Sequence, residues 1–404
     1  MVSMSRKIRD PIYGFIHLDE LECKIIDHFV FQRLRRISQL SFTNMVYPSG
    51  THTRFEHSLG VMEMATRMFD SLYKKNPKLF LKALNIASNK NKDKNISKYR
   101  RIVRLAALLH DVGHPPFSHA GEGLFPGSLK HEDYSVKIIS HYFGGFFEGE
   151  DFDVTNIIPL IKDTENTGAV SIFLKSLISG QLDADRADYL LRDSYHIGVD
   201  YGVYDKNIFI ESLNLGEMED HDQFIIGLDK KSYFIGESFI YARYLMLTQV
   251  YWHKVRRIYD HHTVEAVKEV LSKEGLSNYP HTDNIEEYIK YDDWTMLGSF
   301  SQGKGGSHAE KILNRTHDEC VYYTGLFASR VELEKLKREK KEYGLALTFI
   351  DEINASSSSF YKIADDIPLI DNNNISYLKD NPNSKIIKGL LEAPSLTRLY
   401  VARE

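Results

Sequence analysis

The dipeptide His-Asp, an imidazole beside a carboxylate, occurs three times in this sequence, as His110-Asp111, His221-Asp222 and His317-Asp318. These side chains can ligate a transition metal, but a dipeptide alone is not a specific signal. Only His110-Asp111 ends an apolar run, RIVRLAALLH, and the following VGHPPFSH contains Gly113 and two prolines that stop a helix. Polar residues at the end of a buried helix are costly unless they are ligated or hydrogen-bonded. We therefore take this copy as the candidate site and expect the other two at the surface.

A metal needs more than two protein ligands, and two distant residues are candidates to complete the set. His57 in RFEHSLGV begins an amphipathic helix, and Asp185 lies in the acid-rich LDADRADYLLRDS. Taken singly, each is more readily an ordinary helix residue or surface acid. Together with His110 and Asp111 they form a mixed nitrogen and oxygen set, which suits Mn, Fe, Ni, Co or Zn.

The elements that must position these residues are mostly helical. Apolar residues recur at helical spacing over residues 59–73, 101–110 and 254–275. Residues 223–228 and 231–235 alternate like two strands, which predicts one small hairpin. We predict a mainly α fold with a minor β-hairpin and a small C-terminal α/β appendage.

Other segments favour solvent. Residues 88–99 are rich in Asn and Lys and predict a surface linker, and residues 332–342 predict a solvated helix face. The run from Gly298 to Lys304 satisfies G-x-x-x-x-G-K, the first part of a P-loop. Gly305 follows where a Ser or Thr would bind Mg²⁺, so we interpret residues 299–308 as a surface loop.

Composition places few further limits. The chain has 404 residues, a net charge of −5 and two distant cysteines, which excludes a disulfide framework and does not indicate a nucleic-acid or membrane partner. The N-terminus has no apolar run typical of a secretory signal, and no stretch approaches 18 apolar residues. We expect a cytoplasmic protein.

The segments RFEHSLGV, LLHDVGHPPFSHAGE, KHED and LDADRADYLLRDSYHIG together resemble the HD-domain deoxynucleoside triphosphate (dNTP) triphosphohydrolases. The resemblance begins at IRDPIYGFIHL and extends to IYARYLMLTQVYWHKVRRI and YDDWTMLGSFS, covering roughly residues 8–325. It implies an HD-domain helical core with an N-terminal regulatory segment over residues 1–275, a helical extension over 276–330 and a C-terminal appendage over 331–404. The implied reaction is hydrolysis of a dNTP at the α-phosphorus to deoxynucleoside and tripolyphosphate.

The resemblance also implies roles for single residues. Metal ligands would be His57, His110, Asp111 and Asp185, and catalytic residues would be His114, His119, Glu122 and His131. His119 matches the general acid of the family, Glu122 stands where the family has Asp, and His114 and His131 would bond phosphate oxygens. Phosphate would be bound by Arg54, Arg186 and Arg243, and the sugar by Gln39, Leu40, Tyr189, Asp193 and Tyr251. Leu247 stands where a family member has a histidine near the base, so the preferred base is not implied.

Asp27, Gln32 and Arg35 match positions that bind an activating guanine nucleotide or dNTP in regulated family members. Solvated helix charges are an equal alternative. If the first interpretation holds, the protein is a homo-oligomer, dimer or tetramer, because the family places that site between subunits. Mg²⁺ would accompany the substrate phosphates.

Two other functions remain open from the sequence. One is an HD phosphohydrolase that acts on a nucleoside monophosphate, a cyclic nucleotide or an alarmone. The other is a nucleotide-sensing or nucleic-acid-binding scaffold. The intact histidines and carboxylates argue against the scaffold, and the matches in the sugar-binding set favour a dNTP.

Overall fold

Helices dominate the computed structural model, which describes residues 6–165, 167–218, 223–354, 367–372, 374–385, 387, 390 and 394–403. The mainly α fold class is thereby confirmed. In chain order the helices are α1 (Glu20–Asp27), α2 (Phe29–Gln32), α3 (Arg54–Lys75), α4 (Pro77–Ala83), α5 (Lys92–Leu109), α6 (His131–Ile138), α7 (Val154–Ile161), α8 (Ala169–Ser176), α9 (Ala184–Ile197), α10 (Lys206–Ser212), α11 (Tyr233–Leu245), α12 (Lys254–Lys273), α13 (Ile285–Tyr288), α14 (Asp293–Ser301), α15 (Gly306–Asn314) and α16 (Arg330–Tyr343).

The strands form three small sheets. They are β1 (Arg6–Asp10), β2 (Gly14–Leu18), β3 (Leu213–Glu217), β4 (Phe224–Asp229), β5 (Glu319–Tyr323), β6 (Leu347–Asn354), β7 (Pro368–Asp371), β8 (Asn374–Tyr377) and β9 (Ser395–Val401). β1 and β2 form an antiparallel hairpin, a second sheet has the order β3-β4-β7-β8, and a third has the order β5-β9-β6. Two strands of the predicted C-terminal α/β part therefore pair with strands from earlier in the chain, β7 with β4 and β9 with β5.

The centre of the fold is the packing of α3 against α5 and α9. α5 is buried on almost every side over its last two turns, as the run of apolar residues predicts. α9 starts where the Asp183 side chain accepts a hydrogen bond from the Arg186 N–H and ends at Gly198, whose φ is +74°. His57 lies on α3 and Asp185 lies on α9, while His110 directly follows the last residue of α5.

Two local predictions were wrong. Residues 224–229 form a strand as predicted, but its antiparallel partner is β3. The segment 231–235 is helical instead, because a 3-10 turn ends at Ser232 and α11 begins at Tyr233, with its buried Ile235, Phe239 and Ala242 at helical spacing. The Asn- and Lys-rich segment 88–99 is only partly a linker, because α5 begins at Lys92.

The segment with the partial P-loop pattern is also more regular than predicted. Gly298 lies inside α14, Gly303 turns the chain with φ +74°, and α15 begins at Gly306. No strand precedes the pattern within residues 285–301, all of which the structure describes. The charged helix predicted at 332–342 is confirmed as α16. None of the helices in the described ranges is long and apolar enough to cross a membrane.

Candidate active site

The four predicted metal ligands lie together where α3, α5 and α9 meet. Nε2 of His57 is 3.1 Å from Oδ1 of Asp185 and 3.6 Å from Oδ2 of Asp111. Nε2 of His110 is 3.1 Å from Oδ1 of Asp111 and 3.9 Å from Oδ1 of Asp185. Ligand atoms of His57, His110 and Asp111 all lie within 4.8 Å of one another.

The hydrogen bonds of His110 fix which nitrogen faces this centre. Nδ1 is 2.8 Å from the carbonyl oxygen of Ala107, and a carbonyl only accepts, so Nδ1 carries the proton. The buried Nε2 has no hydrogen-bond partner in the described structure. An imidazole with a buried nitrogen that makes no hydrogen bond, beside two carboxylates and a second imidazole, fits a divalent transition metal.

A second layer of contacts holds His57. Its Nδ1 is 2.9 Å from Oδ2 of Asp188, and Arg192 donates to both oxygens of that carboxylate at 2.8 and 2.9 Å. Arg192 also binds Asp10 at 2.9 Å. A Cβ on Gly60 would lie 2.0 Å from Oδ1 of Asp188, so the glycine is what allows this buried pair to cross α3. A carboxylate behind a ligating histidine orients the ring and raises its basicity.

The charges around the centre favour a cation at Nε2 of His57. Burial opposes protonation of His57, but hydrogen bonds to Asp185 and Asp188 raise its pKa to about 10. Burial also opposes ionisation of Asp111, yet Arg54 and the neighbouring histidines hold the pKa of Asp111 well below its usual range. Burial likewise opposes ionisation of Asp185, but the hydrogen bond to His57 lowers its pKa. Both carboxylates facing the centre are therefore ionised at neutral pH, as metal ligation requires.

The turn after α5 is clamped by a residue that the sequence did not reveal. The Ser135 hydroxyl donates to the carbonyl oxygen of His110 at 2.7 Å and accepts from the N–H of Gly113 at 3.0 Å. A Cβ on Gly113 would lie 2.3 Å from the His131 carbonyl oxygen, so only glycine lets the turn approach α6 this closely. The contact brings His131, the first residue of α6, next to the metal-binding set.

Four further predicted residues form a connected cluster beside Asp111. Glu122 is at its centre, with Oε1 2.5 Å from Nδ1 of His131 and Oε2 3.2 Å from Nδ1 of His119. The ring of His114 stacks on His131 at 3.9 Å, and its Nε2 lies 3.4 Å from Oδ1 of Asp111. His119 follows Phe117 and Ser118, which both have left-handed backbone (φ +61° and +56°). Strained backbone of this kind is concentrated at functional sites.

Burial and neighbouring charges separate the titration of these groups. Burial opposes ionisation of Glu122, but His119 and His131 hold its pKa far below the usual range. Burial works against a charged His131, while the hydrogen bond to Glu122 raises its pKa. Burial and the charge of Arg54 hold the pKa of His114 well below its ordinary value. His114 is therefore neutral next to a charged Glu122, so a phosphate oxygen would accept a hydrogen bond from a neutral ring there.

A cavity of about 220 Å³ is lined by residues of both the metal-binding set and the cluster around Glu122. Its lining contains His110, Asp111, Asp185, His114, His119, His131, Gln39, Arg54, Arg186 and Tyr189. Nη1 of Arg54 is 2.5 Å from Oδ2 of Asp111, and its Nε donates to the Ser118 hydroxyl at 3.0 Å. Arg186 donates to Asp183 and to the Gly180 carbonyl. Both guanidinium groups are thus anchored at the wall of the cavity.

The other residues predicted to bind substrate lie behind Tyr189. The Tyr251 hydroxyl donates to Oδ2 of Asp193 at 2.6 Å, and its ring lies 6.2 Å from that of Tyr189. Nε2 of His52, a residue not predicted, is 2.8 Å from Oδ1 of Asp193. Leu40 is buried in the apolar core, and Arg243 on α11 donates to Gln181 at 3.4 Å. Leu40, Asp193, Arg243 and Tyr251 do not line the cavity.

The three residues predicted to bind an activator lie on and after α1, away from the cavity. Asp27 forms a bidentate ion pair with Arg6 at 2.6 and 2.7 Å. Arg35 donates to Gln32 at 2.9 Å, and its guanidinium lies 3.5 Å from the ring centroid of Phe55. The structure brings Gln32 and Arg35 together, and Asp27 is occupied by a different arginine.

The other two His-Asp dipeptides have different outcomes. Asp318 is buried and paired with Lys311, so its predicted surface position was wrong. The polar segment NRTHDEC gives no sign of this, because Asp318 is covered by tertiary contacts with α12 and α15. His221-Asp222 lies outside the described residues.

Comparison with known proteins identifies the domain that carries this site. Residues 54–192 match the HD domain and residues 207–353 match the HD associated region. An uncharacterized protein of Methanocaldococcus jannaschii is 39% identical over 290 residues, which are 72% of this chain and 54% of that protein. Human deoxynucleoside triphosphate triphosphohydrolase SAMHD1 is 30% identical over 385 residues, covering 84% of this chain and 58% of that protein. This chain thus spans little more than half the length of these relatives.

Solved structures share the whole fold. A hypothetical protein from Aquifex aeolicus has a TM-score of 0.79 and 29% identity, with 99% of this chain and 97% of that chain covered. A phosphohydrolase from Bacteroides thetaiotaomicron has a TM-score of 0.74 and 26% identity, with 99% and 100% covered.

Proposed function

This chain belongs to the HD-domain family, as an HD domain followed by an HD associated region, and from that premise we propose that it is a metal-dependent dNTP triphosphohydrolase. An assignment as an HD phosphohydrolase agrees with the similarity to a solved phosphohydrolase. The dNTP substrate is our proposal, supported by the similarity to human SAMHD1 and by the residues around the cavity.

The observation that carries the proposal is the single cavity that joins two sets of side chains. One is the metal-binding set, of which His110, Asp111 and Asp185 line the cavity while His57 contacts them without lining it. The other is the cluster around Glu122, of which His114, His119 and His131 line the cavity. Two arginines anchored in the same wall supply fixed positive charge for phosphate oxygens. A divalent transition metal held by the first set would supply Lewis acidity, which activates water and polarises a phosphoryl oxygen. We propose Mn, Fe, Ni, Co or Zn there, with Mg²⁺ on the other substrate phosphates.

The chain's own residues supply the remaining steps. Hydrolysis at the α-phosphorus breaks the bond to the 5′-oxygen, so this oxygen leaves as an alcohol and needs a proton. Nδ1 of His119 faces Glu122, which leaves Nε2 of this exposed ring free to protonate the leaving oxygen. The anionic Glu122 would stabilise the protonated ring, and His114 and His131 would donate to the phosphate oxygens. Such a general acid contributes about 10²–10⁴-fold.

The size of the cavity limits what it holds. About 220 Å³ is below the usual 300–1,000 Å³ of a small-molecule site. We therefore assign it to the reacting phosphate, and place the sugar beyond Tyr189, near Asp193 and Tyr251. Asp193 would accept from the 3′-hydroxyl, while Leu40 and Tyr251 would leave little space for a 2′-hydroxyl.

Regulation and assembly are part of the same proposal. A guanine nucleotide or dNTP would bind at Gln32 and Arg35 between subunits of a homo-oligomer, after displacement of Arg6 from Asp27. The two cysteines, Cys23 and Cys320, are not joined in a disulfide, which suits a cytoplasmic location. We also propose that the chain consists of a catalytic core over residues 1–275, a helical extension over 276–330 and a C-terminal appendage over 331–404.

The test is to incubate the protein with each dNTP and NTP, with Mn²⁺ or Mg²⁺ and with or without GTP, and to separate the products by ion exchange. We expect deoxynucleoside and tripolyphosphate, and no turnover by the Asp111→Ala variant. Release of diphosphate or inorganic phosphate, or equal consumption of ribonucleotides, would contradict the dNTP assignment. Unchanged turnover in Asp111→Ala would contradict the site itself.

A further inference from the structure

Three histidines that play no part in the proposed reaction come together where α12 packs against α15. His261 and His262 lie on α12 and His308 lies on α15. Their ring centroids are 5.1 to 5.6 Å apart, and one ligand nitrogen from each lies within 4.8 Å of the others. None of the three lines the cavity of the candidate active site.

The packing of α15 against α12 creates this cluster. α15 starts at Gly306, where φ is +58° and a Cβ would lie 2.0 Å from Oε2 of Glu269 on α12. A larger residue would strain the backbone at this positive φ and displace the Glu269 carboxylate. The close approach places His308, in the first turn of α15, directly over His262.

We propose that His261, His262 and His308 form a second metal site, which binds Zn²⁺ or a similar divalent transition metal. Nδ1 of His262 is 3.0 Å from Nδ1 of His308. Two imidazoles on one tetrahedral zinc, with bonds of about 2.0–2.1 Å, have their nitrogens about 3.3 Å apart, so a small adjustment would bring both onto one ion. His262 is fully buried, while His261 and His308 are partly exposed, which leaves a fourth position for solvent.

The surroundings of the cluster favour neutral, oriented rings. Burial lowers the pKa of each of the three histidines, so their nitrogens have lone pairs at neutral pH. The second nitrogen of His262, Nε2, lies 3.5 Å from the backbone nitrogen of the buried Asp318 and 3.9 Å from Oδ1 of the same residue, whose carboxylate is paired with Lys311. The ring of His261 stacks on Phe349 at 4.2 Å with an interplanar angle of 8°. The backbone of Asp318 thus orients the ring of His262, and stacking on Phe349 orients the ring of His261.

The alternative is an ordinary contact in which His262 and His308 share one hydrogen bond and His261 only stacks on Phe349. The two interpretations differ in how many metal ions the protein holds. An ion at this position would join α12 to α15, and by fixing His261 it would also fix the ring that stacks on Phe349 of β6. This site shares no residue with the HD centre, so each can be tested without the other.

The experiment is a metal titration of the full, untagged chain after chelator treatment, with Zn²⁺ and with Co²⁺ as a spectroscopic substitute. Bound metal is counted by elemental analysis, and Co²⁺ absorption reports the ligand geometry. The variants are His308→Ala, Asp111→Ala, the two combined, and His17→Ala, which removes an exposed histidine on β2 as a control.

We expect two ions per chain in the wild type and in the His17→Ala control. His308→Ala and Asp111→Ala should each bind one ion, and the combined variant should bind none. His261→Ala should repeat the loss seen in His308→Ala. The one metal ion per chain that His308→Ala is expected to retain at the HD centre would show that this variant is folded. Wild-type stoichiometry in both His308→Ala and His261→Ala would overturn the second site. If Asp111→Ala alone keeps both ions, the HD assignment fails and the second site stands.

Discussion

Asp188 lies behind His57, with its Oδ2 2.9 Å from Nδ1 of the imidazole, and Arg192 fixes the carboxylate from the opposite side. The pair is fully buried, so the orientation of His57 depends on a charge that no solvent screens. The orientation of His57 is consequently fixed by the protein's own residues.

Asp188→Asn should therefore weaken metal binding at the HD centre. The amide keeps the size of the side chain but removes the charge that makes His57 basic, and loss of such a supporting residue costs about 10–100-fold in affinity. Competition with a chelator of known affinity measures the change. Asp70→Asn, which breaks an exposed pair with Arg100, is the control and should leave the affinity as it is. An unchanged affinity in Asp188→Asn would show that Asp188 is only a packing residue.

His119→Gln should slow the chemical step without removing metal. The variant cannot protonate the leaving oxygen, so kcat should fall by about 10²–10⁴-fold, while metal content stays at the wild-type value. His281→Gln is a closely matched control, because His281 is also more than half exposed and lies 3.2 Å from a carboxylate, that of Asp283. Equal kcat in His119→Gln and the wild type would remove His119 as the acid.

Asp193→Asn should reduce selection for the 3′-hydroxyl. A carboxylate that accepts from a substrate hydroxyl discriminates strongly against an analogue lacking it. The ratio of kcat/KM for a dNTP to that for its 2′,3′-dideoxy analogue should fall at least about tenfold in the variant. If the ratio is the same in both proteins, Asp193 supports only His52 and Tyr251 and does not bind the sugar.

Asp293 should make stability depend on pH. Burial raises its pKa to about 6, despite hydrogen bonds from Ser38 and the N–H of Phe117. A carboxyl that binds its proton more tightly in the folded state stabilises the fold at low pH and loses this contribution as pH rises. Relative to Asp293→Asn, the free energy of unfolding should fall by about 2 kcal/mol between pH 4 and pH 6. Denaturant unfolding of both proteins at each pH measures it, and parallel curves would contradict the prediction.

The sequence was informative where a local pattern has one physical meaning. The run RIVRLAALL is apolar on nearly all sides after its first turn and is followed by two polar residues and a turn, and such a segment is buried with its polar end occupied. The structure places His110 and Asp111 there. The resemblance supplied His57 and Asp185, which composition and spacing alone leave undecided, and the structure brings all four together.

Residues whose role depends on distant segments could not be predicted in this way. Ser135 clamps the His110 turn from the following helix, and nothing distinguishes it from other serines. His52 approaches Asp193 only after α9 packs beside the segment before α3. Asp188 had a weak signal, since Arg192 follows it at i+4, but the same spacing occurs in many solvated helices.

The order of strands in the third sheet has a consequence for synthesis of the protein. β9 lies between β5 and β6, although it is made some 40 residues after β6. While the chain is still emerging from the ribosome, β5 and β6 therefore have no common neighbour, and each presents a free edge able to pair with other chains. A product that stops before residue 395 would keep these edges permanently. The catalytic helices are already complete by then, so such a product would be lost through aggregation and not through a missing active-site residue.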